Sequence, residues 1–129
     1  MIKADDTICR LLVVEDDYSN YAYIRAIFPP EICIDWADCG KEALICYSSA
    51  IYDVLLVDIG LPDFPGTDFI KYVRKYDLSI PIIVTTGFVT SDREKLCLES
   101  GANDVFFKPF HPCDLRNRVF SYLPPINLI

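Results

Sequence analysis

Acidic residues stand at two points where an apolar run stops. Cys9–Val14 runs into Glu15, Asp16 and Asp17, and Val54–Val57 runs into Asp58. Short apolar runs bounded by turn residues read as strands buried on both faces. A carboxylate directly after such a strand lies at the rim of the core, beside a loop. Two further runs end in polar groups: Pro81–Thr85 is followed by Thr86, and Asp104–Phe107 by Lys108. Carboxylates gathered at one rim raise one another's pKa unless a cation compensates. A hard divalent ion together with Lys108 would do so. Mg²⁺ takes oxygen ligands and keeps several waters, whereas the lack of His or Cys at these strand ends disfavours zinc. With such cations nearby, Asp58 could attack a phosphoryl group and form an acyl phosphate. Thr86 and Lys108 could then surround the transferred oxygens, because phosphoryl transfer relies on positioning and charge neutralisation. Singly, each residue has a plainer reading. Asp17 suits a helix N-cap, Asp58 a turn, Thr86 a strand end and Lys108 a solvated surface. Their common position, each just after its own strand, favours the joint reading.

The elements that must position these groups follow in alternation. After the first strand, Tyr18–Phe28 carries apolar residues at helical spacing, with Asp17 as N-cap and Pro29-Pro30 as stop. Glu31–Trp36 alternates like a strand, and Gly40–Ser49 forms a second helix. Strand three leads through a Pro/Gly-rich loop, 58–66, into a helix over Thr67–Tyr76. There Phe69, Ile70 and Val73 face inward, and Lys71, Arg74 and Lys75 outward. Ser91-Asp92-Arg93-Glu94 matches a capping box and opens a helix that Gly101 closes. Pro112 suits the first turn of a last helix, which Pro124-Pro125 ends. Five strands alternating with five helices imply an α/β fold, a parallel sheet doubly wound by helices on both faces. Every strand's carboxyl end then faces one edge, where ligands of such sheets bind. Strand two, ending near Asp38, is the exception that brings no functional group there.

The 129 residues are expected to form one domain, 1–129, with a core over about 9–123. A net charge of −7 argues against nucleic acid or an anionic membrane as direct partner and suits a bound cation. No apolar stretch approaches a membrane span, and the first residues lack a signal-peptide core. The six cysteines contain no Cys-x-x-Cys pair, so reduced thiols in a cytoplasmic protein are expected.

Five segments resemble the receiver domain of bacterial two-component response regulators. They are Leu-Val-Val-Glu-Asp-Asp (12–17), Gly-Lys-Glu-Ala-Leu (40–44), Asp-Ile-Gly-Leu-Pro (58–62) with Gly66, Thr-Thr-Gly (85–87) and Gly-Ala-Asn-Asp-Val-Phe-Phe-Lys-Pro-Phe (101–110). They occur in the family's order across 9–123. The resemblance implies a flavodoxin-like (βα)5 fold with strand order 2-1-3-4-5. It implies that Asp58 accepts phosphate from a phosphohistidine of a histidine kinase or histidine phosphotransfer protein. Asp16, Asp58 and the Gly60 main-chain carbonyl would then bind Mg²⁺ directly, and Glu15 largely through water. Thr86 and Lys108 would hold phosphoryl oxygens, and Lys108–Pro109 would be a cis peptide. Such a domain assists its own phosphorylation and dephosphorylation without being a conventional enzyme. It occurs alone or within a larger regulator or hybrid kinase.

Three positions depart from the family pattern. Val105 stands where an aromatic residue or histidine usually couples to the threonine. Phe88 is bulky for a residue two beyond that threonine, and is expected to restrict the attacking water and lengthen the phosphoryl lifetime. Pro65 replaces the common Asp or Asn before Gly66 and stiffens the loop. Family precedent puts the phosphodonor against Tyr18, Tyr21, Ala22 and Arg25 with Pro109 and Phe110, and leaves the downstream protein target open. Tyr21 suits helix packing equally well. The rival readings are a phosphorylation-independent interaction module, which Val105 favours, and a Mg²⁺-dependent phosphatase or flavin protein. No Gly-rich phosphate loop supports the last two.

Overall fold

The computed structural model describes residues 9–88 and 90–123. Its elements are β1 (Cys9–Val14), α1 (Tyr18–Ile27), β2 (Ile32–Ala37), α2 (Gly40–Ser49), β3 (Val54–Asp58), α3 (Gly66–Tyr76), β4 (Ile82–Thr86), α4 (Ser91–Ser100), β5 (Asp104–Phe107) and α5 (Pro112–Tyr122). The strands form one sheet in the order β2-β1-β3-β4-β5, all parallel.

The strands are apolar at nearly every position because both faces are covered. Alternate residues separate cleanly between two cores, as a period of two requires. Leu12, Val14, Leu55, Val57, Ile82 and Val84 pack with Ala43 of α2, with Phe69, Ile70 and Val73 of α3, and with Cys97 of α4. On the other face Leu11, Val13, Val54, Leu56 and Ile83 pack with Ile24 of α1 and with Leu115 and Val119 of α5. With two layers of helices gripping the sheet, its carboxyl edge is a rigid frame for whatever follows each strand.

Local chemistry sets the ends. Asp17 caps α1, its Oδ1 accepting from Asn20 N at 3.0 Å. The first helix stops one residue earlier than its apolar pattern suggests. Phe28 precedes Pro29 and takes an extended conformation, ψ 148°, because the proline ring disfavours helical geometry in the residue before it. β3 and β4 each run one residue further than expected, so Asp58 and Thr86 are the last residues of their strands.

Two expectations need correction. The N-cap of α4 is Thr90, not Ser91: the Thr90 hydroxyl accepts from Arg93 N, and the helix begins at Ser91. Threonine serves this position nearly as well as serine, and the reciprocal glutamate of a capping box is not needed. Arg74 does not point into solvent. Its Nε donates to Gly101 O at 3.0 Å, Nη1 to Asp77 O and Nη2 to Asn103 Oδ1, tying α3 to the turn between α4 and β5. Gly101 adopts φ 122°, and a Cβ there would lie 2.6 Å from Arg74 Cγ. Glycine thus serves both the left-handed helix end and the close approach of the arginine. The helix-ending Pro124-Pro125 lie outside the described residues.

Candidate functional site

The carboxyl edge gathers its charged groups from the ends of three strands, β1, β3 and β5. Glu15 follows β1 and is held from two sides: its N–H donates to Ala37 O at 2.9 Å, and its carbonyl accepts from the Trp36 indole at 2.7 Å. Its side chain turns into the protein, 1% exposed. One carboxylate oxygen accepts from Asp17 N (3.2 Å) and the other from Lys108 Nζ (2.8 Å). Asp58 ends β3 with its Oδ1 accepting from Gly60 N (2.9 Å) and its Oδ2 from Lys108 Nζ (2.9 Å). Lys108 reaches both acids because β5 pairs with β4, and its own N–H continues the ladder to Thr86 O at 2.7 Å. The Lys108–Pro109 peptide is cis.

Glu15, Asp16 and Asp58 each offer a carboxylate oxygen, and these oxygens lie within 4.8 Å of one another. Asp16 is exposed, so the cluster opens to solvent on that side. Burial, with the charge of Asp58 added, pushes the Glu15 carboxyl above its ordinary range in spite of the Lys108 hydrogen bond. The reverse balance holds at Lys108. Burial alone would lower its pKa, but hydrogen bonds and charge from Glu15 and Asp58 raise it, so the ammonium stays protonated. Three carboxylates and one ammonium leave the four side chains at −2 when ionised. A hard cation with oxygen preference fits that deficit and that donor set.

The remaining predicted residues sit around this centre. Thr86 is buried and one register position beyond Thr85, the strand partner of Asp58. Its hydroxyl accepts from Phe88 N at 3.1 Å. Gly60 contributes its N–H to Asp58, as above. The Phe88 side chain is 56% exposed, with the Arg93 guanidinium carbon 4.4 Å from its ring centroid. Val105 packs partly buried against the α2–α3–α4 side of the core.

Strand β2 contributes after all. Trp36, the chain's sole tryptophan, pins the Glu15 carbonyl and itself packs against two tyrosines. Tyr21 stacks on it at 4.6 Å and 9°, and Tyr18 meets it edge-on at 5.6 Å. An aromatic ending an alternating strand was the one signal available, and nothing in the sequence says which carbonyl its N–H finds. Tyr21 therefore completes packing, whereas Tyr18 is 65% exposed.

A five-stranded, doubly wound parallel α/β domain whose acidic cluster and lysine meet at the carboxyl edge is a defined class of protein. Comparison with known proteins gives the class its family. Residues 11–120 match the response regulator receiver domain model. The chain is 32% identical over 115 residues to the probable transcriptional regulatory protein SilR of Salmonella typhimurium, covering 88% of this chain and 50% of that protein. It is 36% identical over 103 residues to the transcriptional regulatory protein PhoP of Escherichia coli (strain K12), covering 79% and 46%. Among solved structures, the receiver domain of the Francisella response regulator 1452 superposes with a TM-score of 0.82 at 30% identity, covering 88% of this chain and 95% of that one. A response regulator from Chloroflexus aurantiacus gives 0.83 at 30%, covering 89% and 97%. This chain belongs to the response regulator receiver domain family of two-component signal transduction. It spans about half the length of the curated transcriptional regulators it matches.

Proposed function

We propose that the domain is a phosphoacceptor that takes a phosphoryl group from a phosphohistidine onto Asp58. In that step an Asp58 oxygen forms a bond to phosphorus, the phosphorus–nitrogen bond breaks, and its electron pair returns to the imidazole nitrogen. The observation that carries this reading is the placement of one ammonium, Lys108 Nζ, 2.9 Å from Asp58 Oδ2 inside an all-oxygen acid cluster. Lys108 puts positive charge where the phosphoryl oxygens arrive, and the Thr86 hydroxyl at the end of β4 can donate to one of them. Glu15, Asp16, Asp58 and the Gly60 carbonyl would hold Mg²⁺, which supplies neutralisation of the incoming charge when bound. Phosphoryl transfer depends chiefly on such positioning and electrostatics.

The donor is a histidine kinase or histidine phosphotransfer protein, met by the exposed Tyr18 on α1 and by Pro109 and Phe110 after β5. Tyr23 and Phe110, 6.1 Å apart, join these two elements into one surface. The acceptor then switches its contacts with a downstream protein in the cytoplasm. It is no conventional enzyme, since the group it activates is its own. Val105 supports a second reading, an interaction module that does not use phosphorylation.

Intact-mass measurement with acetyl phosphate, with and without Mg²⁺, separates the two. We predict a Mg²⁺-dependent, base-labile phosphoryl adduct on the wild type and none on Asp58→Ala. A wild type that takes up no phosphate from acetyl phosphate or a competent kinase sinks the phosphoacceptor reading in favour of the second.

A further inference from the structure

The loop after Asp58 is fastened at both ends of its arc. At one end Gly66 N donates to Ile59 O at 3.0 Å. A Cβ on Gly66 would lie 2.5 Å from Asp58 O, so only glycine lets the loop close against the acceptor's own backbone. At the apex the loop grips a different element. Asp63 Oδ1 accepts from Gly40 N and Oδ2 from Lys41 N, both at 2.8 Å, and Oδ1 also takes the Phe64 N–H at 3.0 Å. The Phe64 ring lies directly on Gly40, where a Cβ would come 2.3 Å from its Cζ.

Helix α2 has reason to borrow this carboxylate. Its own N-cap is Cys39, whose sulfur accepts from Glu42 N at 3.4 Å. Cysteine is not among the good N-caps, and it leaves the Gly40 and Lys41 amides to another acceptor. Desolvation is the largest single influence on Asp63 and raises its pKa, but the amides of Lys41, Gly40 and Phe64 together outweigh it and hold the carboxyl below the usual range. Between these two fastenings lies Gly60, whose N–H holds Asp58 Oδ1.

We propose that Asp63 is a positioning residue for the phosphoacceptor site: by capping α2 from the β3–α3 loop, it keeps Gly60 and the Asp58 carboxylate in the shape that binds a divalent cation. The proposal rests on the phosphoacceptor reading for its metal. A residue that merely caps α2 would change stability alone, whereas a positioning residue also changes the loop.

The test compares wild type, Asp63→Ala, and Asp63→Ala combined with Cys39→Asp, which gives α2 a strong cap of its own. Mn²⁺ binding is followed by electron paramagnetic resonance, Gly60 amide exchange with water by NMR, and thermal unfolding by circular dichroism. In Asp63→Ala, Mn²⁺ affinity should fall about tenfold, the scale seen when a group that orients a metal ligand is lost, and Gly60 exchange should rise about fivefold. In the double variant the melting temperature should return while both other changes persist. Full recovery of Mn²⁺ binding along with the melting temperature overturns the proposal, as does an Asp63→Ala protein with wild-type binding and exchange. If Asp63→Ala fails to fold, Gly40→Ala, which pushes Phe64 off α2, should loosen Gly60 in the same way, and an unchanged Gly60 overturns the proposal. A wild type that binds no Mn²⁺ counts against the phosphoacceptor reading instead, and Gly60 exchange alone then decides the role of Asp63.

Discussion

Lys108 is held by two acids of different exposure, Glu15 at 1% and Asp58 at 12% of the side chain. Such a bridge has consequences residue by residue. Glu15 is enclosed, while Asp58 keeps part of its carboxylate open to solvent, on the side where the proposed phosphoryl group would arrive. Phe88 is joined to the candidate site through Thr86, its N–H on the Thr86 hydroxyl and its ring under Arg93. We predict that Phe88→Ala shortens the acyl-phosphate half-life about fivefold, equivalent to about 1 kcal/mol of barrier. Loss of phosphate over time from the purified adduct measures it, and an unchanged half-life removes Phe88 from control of the attacking water.

Among the elements, the turns at the amino edge of the sheet matter for stability rather than chemistry. Asp77 closes α3 and accepts from Ser79 N (2.8 Å), Ser79 Oγ (2.9 Å) and Ile80 N (3.0 Å), which aims the chain into β4. The Ser79 amide is the largest influence. With Ser79 Oγ, Ile80 N and the Arg74 charge, it outweighs desolvation and lowers the Asp77 pKa. A carboxyl with a depressed folded-state pKa stabilises the fold above its unfolded value near 4 and loses that contribution as pH falls through the folded value. Asp77→Asn should therefore cost about 1 kcal/mol at pH 7 and progressively less below about pH 4. Urea titrations across that range check it, and a cost independent of pH contradicts it. Helix α3 itself depends on Phe69, which is wholly buried beneath it. Phe69→Ala is predicted to cost about 3–5 kcal/mol in urea unfolding, as other emptied aromatic sites do.

For the whole molecule, a cation held by the acid cluster would couple binding to folding. A group that binds only the folded state stabilises it by mass action, about 2.7 kcal/mol at a hundred times its dissociation constant. The wild type should gain thermal stability with added Mg²⁺, and Asp58→Ala should lose most of that gain. Equal shifts in both proteins would place the ion elsewhere. Among the described residues no helix is long and apolar enough to cross a membrane.

Much of this was legible in the chain. Apolar runs ending at Asp58, Thr86 and Lys108 implied the parallel sheet and its functional edge, because both-face burial and strand-end placement are local properties of composition and order. Five ordered segments identified the family, and the N-cap at Asp17 followed from spacing alone. Other features required the folded molecule. Arg74 looked like a solvent-facing cation by helical period, yet long side chains reach whatever carbonyls a neighbouring turn presents. Trp36 and Glu15 are 21 positions apart, and Asp63 and Gly40 are 23. Hydrogen bonds at such separations depend on which strands and loops the topology sets side by side. Local pattern determined which residues stand at the strand ends; packing between distant segments decided what each one touches.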